Sequence, residues 1–167
     1  MIKTRIGIII PYRKRKKQLL IFLSYIKNHL KNVDYHIYII KQSNDLPFNR
    51  GILNNIGAQI CFNFVDFICI HDVDLLPYPN TKYNCSRNTI QQISGYTKDD
   101  DDGLNYHEAI DFANFDKLTS KWNKQIRIGG QVTIIEKNIF KTINGYPNDY
   151  FGWGKEDNLF HKRASLF

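Results

Sequence analysis

The sequence predicts an α/β fold with a Rossmann-like, mostly parallel central sheet flanked by helices. Over residues 4–80, short apolar runs rich in β-branched and aromatic residues alternate with helix-period patterns. The third run, Phe67 to Ile70, is apolar throughout, as is typical of a buried parallel strand. Because the order is β-α-β-α-β, these strands are expected to lie parallel in one sheet. The 167 residues contain no repeat or linker, which favours one domain over residues 1–167.

The first half contains five expected elements. In order, they begin with a strand from Arg5 to Ile10 that is closed by Pro11, a helix over Lys16–Leu30 and a strand over Tyr35–Ile40. The second helix is marked by four apolar residues at helical spacing, namely Ile52, Leu53, Ile56 and Ile60. It leads into the third strand. Ligands of such sheets bind where the strands end, and the polar clusters of this sequence fall there.

The second half is less regular. Residues 90–96 are expected to form a strand, residues 97–103 a self-repelling loop with four consecutive aspartates, and residues 105–125 a partly helical region. Gly129-Gly130 is expected to open a strand over Gln131–Ile135. A helix over Lys137–Ile143 is expected to end at Asn144-Gly145, and Glu156–Ala164 should form the last helix.

The composition is that of a globular protein that favours anionic partners. Hydrophobic residues make up 43% and charged residues 23%, and the net charge is +7. This charge favours nucleic acid, phosphorylated metabolites or an acidic membrane surface. No apolar run approaches the ~20 residues of a membrane span. The first strand begins so early that no room is expected for a signal peptide or anchor, so any membrane contact would be peripheral.

The three cysteines, Cys61, Cys69 and Cys85, contain no C-x-x-C pair. Two of them lie in apolar stretches. Buried free thiols in a reducing compartment are therefore expected in preference to metal ligands, which favours a cytoplasmic location.

The first candidate cluster is basic and lies at the turn from the first strand into the first helix. It reads PYRKRKK over residues 11–17. Five positive charges oppose the dipole of the helix, so helix stability does not explain them. Backbone N–H groups and arginine side chains there would suit a diphosphate. A solvated basic turn or a nucleic-acid patch explains the cluster equally well.

The second cluster, His71-Asp72-Val73-Asp74, follows the third strand directly. In an extended chain, Asp72 and Asp74 lie on the same side, and their repulsion is relieved by a cation. Mn²⁺ and Mg²⁺ prefer such oxygen ligands, and a nucleoside diphosphate can complete the coordination shell. This D-x-D pattern favours a metal and nucleotide site over an acidic turn without a metal.

The third cluster is Gly152-Trp153-Gly154-Lys155-Glu156-Asp157. Glycines beside a tryptophan allow its ring to stand next to a groove and hold a sugar. Glu156 and Asp157 begin a helix, where a carboxylate can accept the proton of an attacking hydroxyl. An ordinary acidic helix start, which the helix dipole favours, is the alternative for this cluster in isolation.

Four segments, taken together and in order, resemble the motifs of the β-1,4-galactosyltransferase family. The family's P-[FY]-R-x-R and F-N-R-x-x-L-x-N-x-G motifs are similar to IIPYRKR at residues 9–15 and FNRGILNNIG at residues 48–57. Its D-V-D-L-x-P and N-G-[FY]-P-N-x-[FY]-x-G-W-G-x-E-D motifs match HDVDLLP at residues 71–77 and INGYPNDYFGWGKED at residues 143–157. Four long motifs in the family's order are hard to obtain by chance.

The resemblance implies a glycosyltransferase catalytic domain of GT-A fold, with a UDP-sugar donor, usually UDP-galactose, and Mn²⁺ as cofactor. It assigns catalysis to Asp157, as general base, and to Glu156, and it assigns the metal to Asp74. The donor-binding residues implied by the motifs are Pro11, Tyr12, Arg13, Arg15, Phe48, Asn49, Arg50, Asp72, Val73 and Trp153. The acceptor-binding residues are Trp153, Gly154, Lys155, Glu156 and Asp157. In-line displacement would invert the anomeric centre of the transferred sugar.

The sequence also departs from the family pattern. The family has a further metal-binding histidine beyond its last motif, whereas this chain ends ten residues after Asp157, and His161 is expected to be a surface or packing residue. Arg127 stands where a tyrosine is frequent. Lys155 replaces a frequent glycine, as in the branch of the family that galactosylates xylose.

Three functions follow as hypotheses. The preferred one is a Mn²⁺-dependent hexosyltransferase acting on a glycan or glycolipid acceptor, as in surface-polysaccharide assembly. The alternatives are an inactive or regulatory nucleotide-sugar-binding remnant, truncated at its C-terminus, and a nucleic-acid-binding module. The last is disfavoured because basic and aromatic residues do not interleave along the chain.

Overall fold

The computed structural model describes residues 4–77, 81–83, 87, 90–93, 95–97, 132–152 and 154–164. The strands are β1 (Arg5–Tyr12), β2 (Asp34–Lys41), β3 (Phe67–His71), β4 (Leu75–Pro77), β5 (Ile90–Ile93), β6 (Gly95–Thr97) and β7 (Val132–Glu136). The helices are α1 (Lys16–His29), α2 (Arg50–Cys61), α3 (Lys137–Thr142) and α4 (Glu156–Ala164). These bounds confirm the predicted β-α-β-α-β order of the first half.

The central sheet has the strand order β2-β1-β3-β7-β5. Strand β1 pairs in parallel with β2 and β3, whereas β7 is antiparallel to both β3 and β5. Four of the five strands therefore point in one direction, and β7 alone in this sheet opposes them. A second, small sheet pairs β4 with β6. The predicted α/β fold with a mostly parallel sheet is confirmed.

Strand β1 does not end at Pro11, as predicted, but continues to Tyr12. Pro11 pairs in register with Ile40 of β2, and the carbonyl of Tyr12 accepts a hydrogen bond from the backbone N–H of Gln42. The backbone groups of successive residues in a strand point alternately toward its two neighbouring strands. The nitrogen of Pro11 therefore points toward β3, which pairs with β1 only as far as Ile9. Proline costs the sheet no hydrogen bond at this position.

The two faces of the sheet have separate cores. Ile6, Ile8 and Ile10 of β1 are buried on the face covered by α1, where Phe22 and Ile26 pack against them. The other face of β1 carries Gly7 and Ile9 and is covered by α2, α3 and α4. The core on this side consists of Ile9, Ala58, Cys61, Val65, Ile68, Ile70, Ile135, Ile139, Phe140, Ile143, Tyr146 and Phe160. The period-2 alternation of β1 thus places helices on both faces.

Helix α2 lies close to the sheet at Gly57 and Ala58, two small residues of its buried side. A Cβ atom at Gly57 would stand 2.4 Å from Cγ2 of Ile9, closer than any real contact. Two of the residues whose spacing predicted this helix, Ile56 and Ile60, are 42% and 51% exposed. The helix was predicted correctly, but those isoleucines lie away from the core.

The later elements agree with prediction in part. Helix α3 ends at the predicted Asn144-Gly145, where both residues have positive φ and the N–H of Gly145 donates to the carbonyl of Phe140. The predicted bounds of α4 are confirmed. The single strand expected over residues 90–96 is instead two strands, β5 and β6, in different sheets. The expected loop at 97–103 lies largely, and the partly helical region at 105–125 and Gly129-Gly130 entirely, outside the described residues.

Cys61 and Cys69 are buried thiols outside any disulfide bond, as expected, and Cys85 lies outside the described residues. Burial raises the pKa of the Cys61 thiol to about 11. Among the helices in the described parts of the chain, none has the length and apolar character needed to cross a membrane.

Candidate active site at the carboxyl ends of the strands

Four segments, one from each family-like motif, meet at the carboxyl end of the parallel strands. They are the turn after β1, the start of α2, the turn after β3 and the start of α4. Four ion pairs connect them, one between Arg15 and Asp74 and three between Arg50 and Asp72, Glu156 and Asp157. A backbone bond from the N–H of Gly152 to the carbonyl of Phe48, at 2.8 Å, joins the last loop to the start of α2. The candidate residues therefore meet at the sheet edge where the sequence predicted them to lie.

Arg50 is the central residue of this arrangement. Its Nε donates to Oδ1 of Asp72 at 2.8 Å, its Nη1 donates to Oδ1 of Asp157, and Nη1 lies 3.7 Å from Oε1 of Glu156. The guanidinium also lies over the ring of Tyr146, 5.8 Å from its centroid. Only 12% of the Arg50 side chain is exposed. One buried cation therefore holds three carboxylates that belong to two distant segments.

Negative charge exceeds positive charge in this cluster. Two guanidinium groups, of Arg15 and Arg50, contact four carboxylates. Burial, with a further contribution from Asp74 and Asp157, raises the pKa of Asp72 to about 7 even though Arg50 opposes this. Burial and the Asp157 carboxylate also raise the pKa of Glu156. Such a cluster attracts an additional cation.

Asp74 is more accessible than Asp72 and has a weaker partner. Nη1 of Arg15 lies 2.5 Å from Oδ2 of Asp74, with 52% of the arginine and 31% of the aspartate side chain exposed. An exposed ion pair of this kind contributes about 1 kcal/mol or less. Asp74 can therefore exchange Arg15 for another cation at little cost.

Arg13 contacts the segment before α2. Its Nη1 donates to the carbonyl of Leu46 at 2.6 Å, and its guanidinium lies 5.2 Å from the centre of the Phe48 ring. This places an arginine and an aromatic ring next to each other at the mouth of the site. Between Arg13 and Arg15, Lys14 has a φ of 53°, which turns the chain sharply into α1.

The N-terminus of α1 is open. Its N-cap residue, Arg15, makes no side-chain capping bond, and the first turn contains no acidic residue. The first N–H groups of a helix have no partner within the helix and carry partial positive charge, so an anion is stabilised there. The start of α1 is therefore open to an anion, and the position of the diphosphate stays a prediction.

His71 supports the turn that carries both aspartates. Its Nδ1 lies 2.8 Å from the carbonyl of Asp72, and its Nε2 lies 2.8 Å from the hydroxyl of Tyr83. Because a carbonyl only accepts, Nδ1 carries the proton and Nε2 accepts from Tyr83. Burial lowers the pKa of His71 to about 4, which keeps the imidazole neutral at pH 7. The ring of Phe22 packs against it at 4.7 Å.

A network of amides, which the sequence did not reveal as such, attaches the segment before α4 to α2. Asn55 forms hydrogen bonds with both the N–H and the carbonyl of Tyr146, each at 2.9 Å. Asn49 caps α2 by accepting from Ile52 N–H and donates to the carbonyl of Asn148 at 2.6 Å. Both asparagines lie within the FNRGILNNIG motif, so the motif itself was the available signal. This network brings Asp157 to Arg50.

Several residues assigned by motif have other surroundings. Asn49 is buried with its side chain engaged in the helix cap, and the side chain of Val73 is buried in the core, so only its backbone can face a donor. Pro11 is buried in β1, and Tyr12 at its end is half-buried. Trp153 lies outside the described residues.

The remaining assigned residues lie in the loop before α4. Gly154 and Lys155 both have positive φ, of 126° and 66°. The left-handed conformation of Lys155 explains why glycine is frequent at that position. His161 is half-buried on α4 with its ring 5.4 Å from that of Phe160, which agrees with the predicted packing role.

The residues at this edge fit Mn²⁺ only as one part of a mixed coordination shell. Within the described ranges, no three histidine, cysteine, aspartate or glutamate side chains form a metal cage. Asp74 offers an accessible carboxylate in a cluster with excess negative charge. Ions of this type are commonly held by one or two carboxylates together with substrate phosphates. The donor set is therefore compatible with a cation that arrives with a diphosphate.

The fold and the site together define a GT-A glycosyltransferase domain, in which an α/β sheet carries a D-x-D turn at its carboxyl edge. A model of the N-terminal region of glycosyl transferase group 7 matches residues 1–86, and a model of the N-terminal domain of galactosyltransferase matches residues 112–166. The first match alone covers half of the chain. The chain belongs to the glycosyl transferase group 7 family.

Individual relatives agree with this membership. The chain is 29% identical to human β-1,4-galactosyltransferase 7 and 34% identical to human β-1,4-galactosyltransferase 1, over 95% of its own length. It spans about two fifths of the length of these curated relatives, 43% and 36% respectively. Among solved structures, a mutant of Drosophila β-1,4-galactosyltransferase 7 in complex with manganese, UDP-Gal and xylobiose matches with a TM-score of 0.73 and 29% identity. That match covers 96% of this chain and 60% of the other.

Proposed function

We propose that this chain transfers galactose from UDP-galactose to a hydroxyl of a glycan acceptor, with Mn²⁺ as cofactor and inversion of the anomeric centre. The observation that carries the proposal is the double contact of Arg50. One guanidinium bonds both Asp72, on the side assigned to the donor, and Asp157, on the side assigned to the acceptor. A transferase needs these two sides within reach of each other.

The donor diphosphate would lie between the turn after β1 and the turn after β3. Arg13, Arg15 and the open N-terminus of α1 supply positive charge there. Asp74 would hold the Mn²⁺, which when bound offsets the negative charge of the departing diphosphate. The exposed ion pair between Arg15 and Asp74 is weak and is easily broken. The arginine can then bind a phosphate, and the carboxylate can bind the metal.

The acceptor side would be formed by the start of α4. Oδ1 of Asp157 bonds to Arg50, which fixes the orientation of the carboxylate, while 20% of the side chain remains exposed. As the acceptor hydroxyl oxygen attacks the anomeric carbon, its proton passes to Asp157 and the bond from that carbon to the UDP oxygen breaks. Attack from the face opposite UDP inverts the anomeric centre. Glu156, which is more buried, would bind the acceptor sugar.

A xylose-containing glycan is the first acceptor to test. The solved relative from Drosophila binds xylobiose, and Lys155 is the residue by which the last motif resembles the xylose-specific branch. We expect the chain to release UDP from UDP-galactose faster when xylobiose and Mn²⁺ are both present.

The decisive variant is Asp157→Asn, which keeps the shape of the side chain but removes its basicity. We expect turnover to fall by ~10²–10⁴-fold with binding of UDP nearly unchanged, because proton abstraction is lost and the donor side is intact. Glu156→Gln is the matched control at the next position, and it should raise the KM for the acceptor more than it lowers kcat. Equal turnover of Asp157→Asn and the unmodified chain would contradict the proposal. Binding of UDP without turnover by any form would support the alternative of an inactive nucleotide-sugar-binding protein.

A further inference from the structure

The positive charge of the chain is concentrated in its first segment. Nine of the 23 lysines and arginines precede Asp34, and no aspartate or glutamate does. The other 134 residues carry 14 basic and 16 acidic residues, so they are slightly negative. Of the nine basic residues, Arg13 and Arg15 belong to the donor side of the proposed site. The side chains of the lysines of α1 are not among the residues assigned to it.

The lysines of α1, which are Lys16, Lys17 and Lys27, lie on the outer side of the helix. At 3.6 residues per turn, Lys16, Lys17, Ser24 and Lys27 fall within about 60° of Leu20. All five are exposed, and Leu20 is 59% exposed. We name these five residues the basic face of α1. It runs along a helix of 14 residues, about 21 Å long.

The opposite side of α1 is fixed in the core. Phe22, Tyr25 and Ile26 are buried against the sheet, so the helix cannot turn its apolar side outward. A surface that contacts the basic face must therefore be attracted mainly by charge. A long, convex and cationic face with one apolar residue at its centre complements a flat anionic surface.

We propose that the basic face of α1 docks this protein on an anionic lipid bilayer, with the lysines among the headgroups and Leu20 at the level of the upper acyl chains. A lipid surface explains the exposed leucine better than a nucleic acid does. Strand-binding surfaces need aromatic rings for stacking, and the aromatic residues of α1 are buried. The proposal does not depend on the transferase activity.

Docking also orients the proposed site. Arg15, the N-cap residue of α1, contacts Asp74, so the start of the basic face borders the donor side. A molecule lying on α1 holds the carboxyl edge of its sheet beside the membrane surface. An acceptor carried by a lipid would then meet the site without leaving the bilayer.

Vesicle co-sedimentation tests the proposal with the protein as it is. The probe is a vesicle of phosphatidylglycerol and phosphatidylcholine in equal proportion, compared with pure phosphatidylcholine. The test variant is Lys17→Gln with Lys27→Gln. Because one lysine near an anionic surface contributes about a fivefold gain in affinity, the double variant should bind the anionic vesicles roughly 30-fold more weakly.

The matched control is Lys141→Gln with Lys162→Gln, which leaves the same net charge. Both of these lysines are exposed on α3 and α4, which cover the other face of the sheet. The control should bind anionic vesicles as the unmodified chain does, and no form should bind pure phosphatidylcholine. Equal weakening in both double variants, no binding of the unmodified chain to anionic vesicles, or tighter binding to a DNA oligonucleotide at the same salt concentration would each overturn the proposal. Binding is read without any substrate, so its failure is distinct from failure of the transferase assay.

Discussion

Arg50 has protein contacts that its motif does not identify. The motif resemblance implied that it binds the donor. In the structure it bonds Asp72 and Asp157 and is almost fully buried. Its partners are 22 and 107 residues away in sequence, and no local pattern identifies them. The contact depends on the packing of α4 beside α2.

His71 should make the stability of the protein depend on pH. Its pKa is near 6.5 in the unfolded chain and about 4 in the folded one, because burial disfavours the charged ring. Between these values the unfolded chain binds a proton that the folded chain does not, so acidification from pH 6.5 to pH 4 destabilises the fold. The expected loss from this residue is on the order of 3 kcal/mol.

The measurement is urea unfolding of the unmodified chain and of His71→Phe at both pH values. The phenylalanine keeps the ring against Phe22 but cannot titrate, so its free energy of unfolding should fall less on acidification. Asp72, whose raised pKa has the opposite effect on stability, is present in both forms and cancels in the difference. Identical pH dependence in the two forms would refute the role given to His71.

Lys155 stands in a conformation that glycine adopts at lower cost. Its φ of 66° places it in the left-handed region, where a side chain costs about 1–2 kcal/mol. Glycine relieves this cost but loses more conformational freedom on folding, which offsets part of the gain. We therefore expect Lys155→Gly to raise the free energy of unfolding by about 1 kcal/mol. Lys155→Ala, which keeps the Cβ atom, should give no comparable gain in thermal unfolding. Equal effects of the two substitutions would show that the change in stability comes from loss of the lysine side chain and not from the backbone conformation.

At the scale of elements, the close packing of α2 against the sheet is the contact most sensitive to a small substitution. A methyl group at Gly57 would meet Cγ2 of Ile9 at 2.4 Å, and the helix would have to move outward. We expect Gly57→Ala to lower the free energy of unfolding by roughly 1–3 kcal/mol, despite the better helix propensity of alanine. Gln59→Ala, on the exposed side of the same helix, should change it by a few tenths of a kcal/mol. A stabilised Gly57→Ala would mean that α2 does not pack as described.

The same helix marks the limit of prediction from sequence. Strands and helices of the first half follow from hydrophobic periodicity, because each is amphipathic or apolar over its own length. In α2, however, the buried side includes two glycines and an alanine beside Leu53, while Ile56 and Ile60 are exposed. Periodicity locates a helix but does not say which side is close to its neighbour when the contacting residues are small. The position of β7 between β3 and β5 could not be predicted from the sequence either, because it pairs segments that are far apart along the chain.

At the scale of the whole molecule, the order of motifs carried more information than any one of them. Each of the three clusters alone left a structural alternative open, and the four motifs together identified the family that the comparisons confirm. The motifs do not predict which side chains of the different clusters contact one another. That requires the sheet, which brings the ends of β1 and β3 together, and the amide network that holds the start of α4 against α2.

The central claim is that the carboxyl edge of the sheet binds a nucleoside diphosphate together with a divalent cation. The most direct measurement is calorimetric titration of the protein with UDP in the presence and absence of Mn²⁺. Asp74→Ala is the test variant. Asp34→Ala is the matched control, since it also removes an aspartate from a pair with an arginine, Arg5, but at the opposite end of the sheet.

We predict that UDP binds tightly only with Mn²⁺, that Asp74→Ala weakens this binding by about tenfold or more, and that Asp34→Ala leaves it unchanged. Loss of one carboxylate ligand has this effect because the rest of the shell is supplied by the diphosphate and water. Binding of UDP that is indifferent to Mn²⁺, or that is equal in Asp74→Ala and the unmodified chain, would contradict the account.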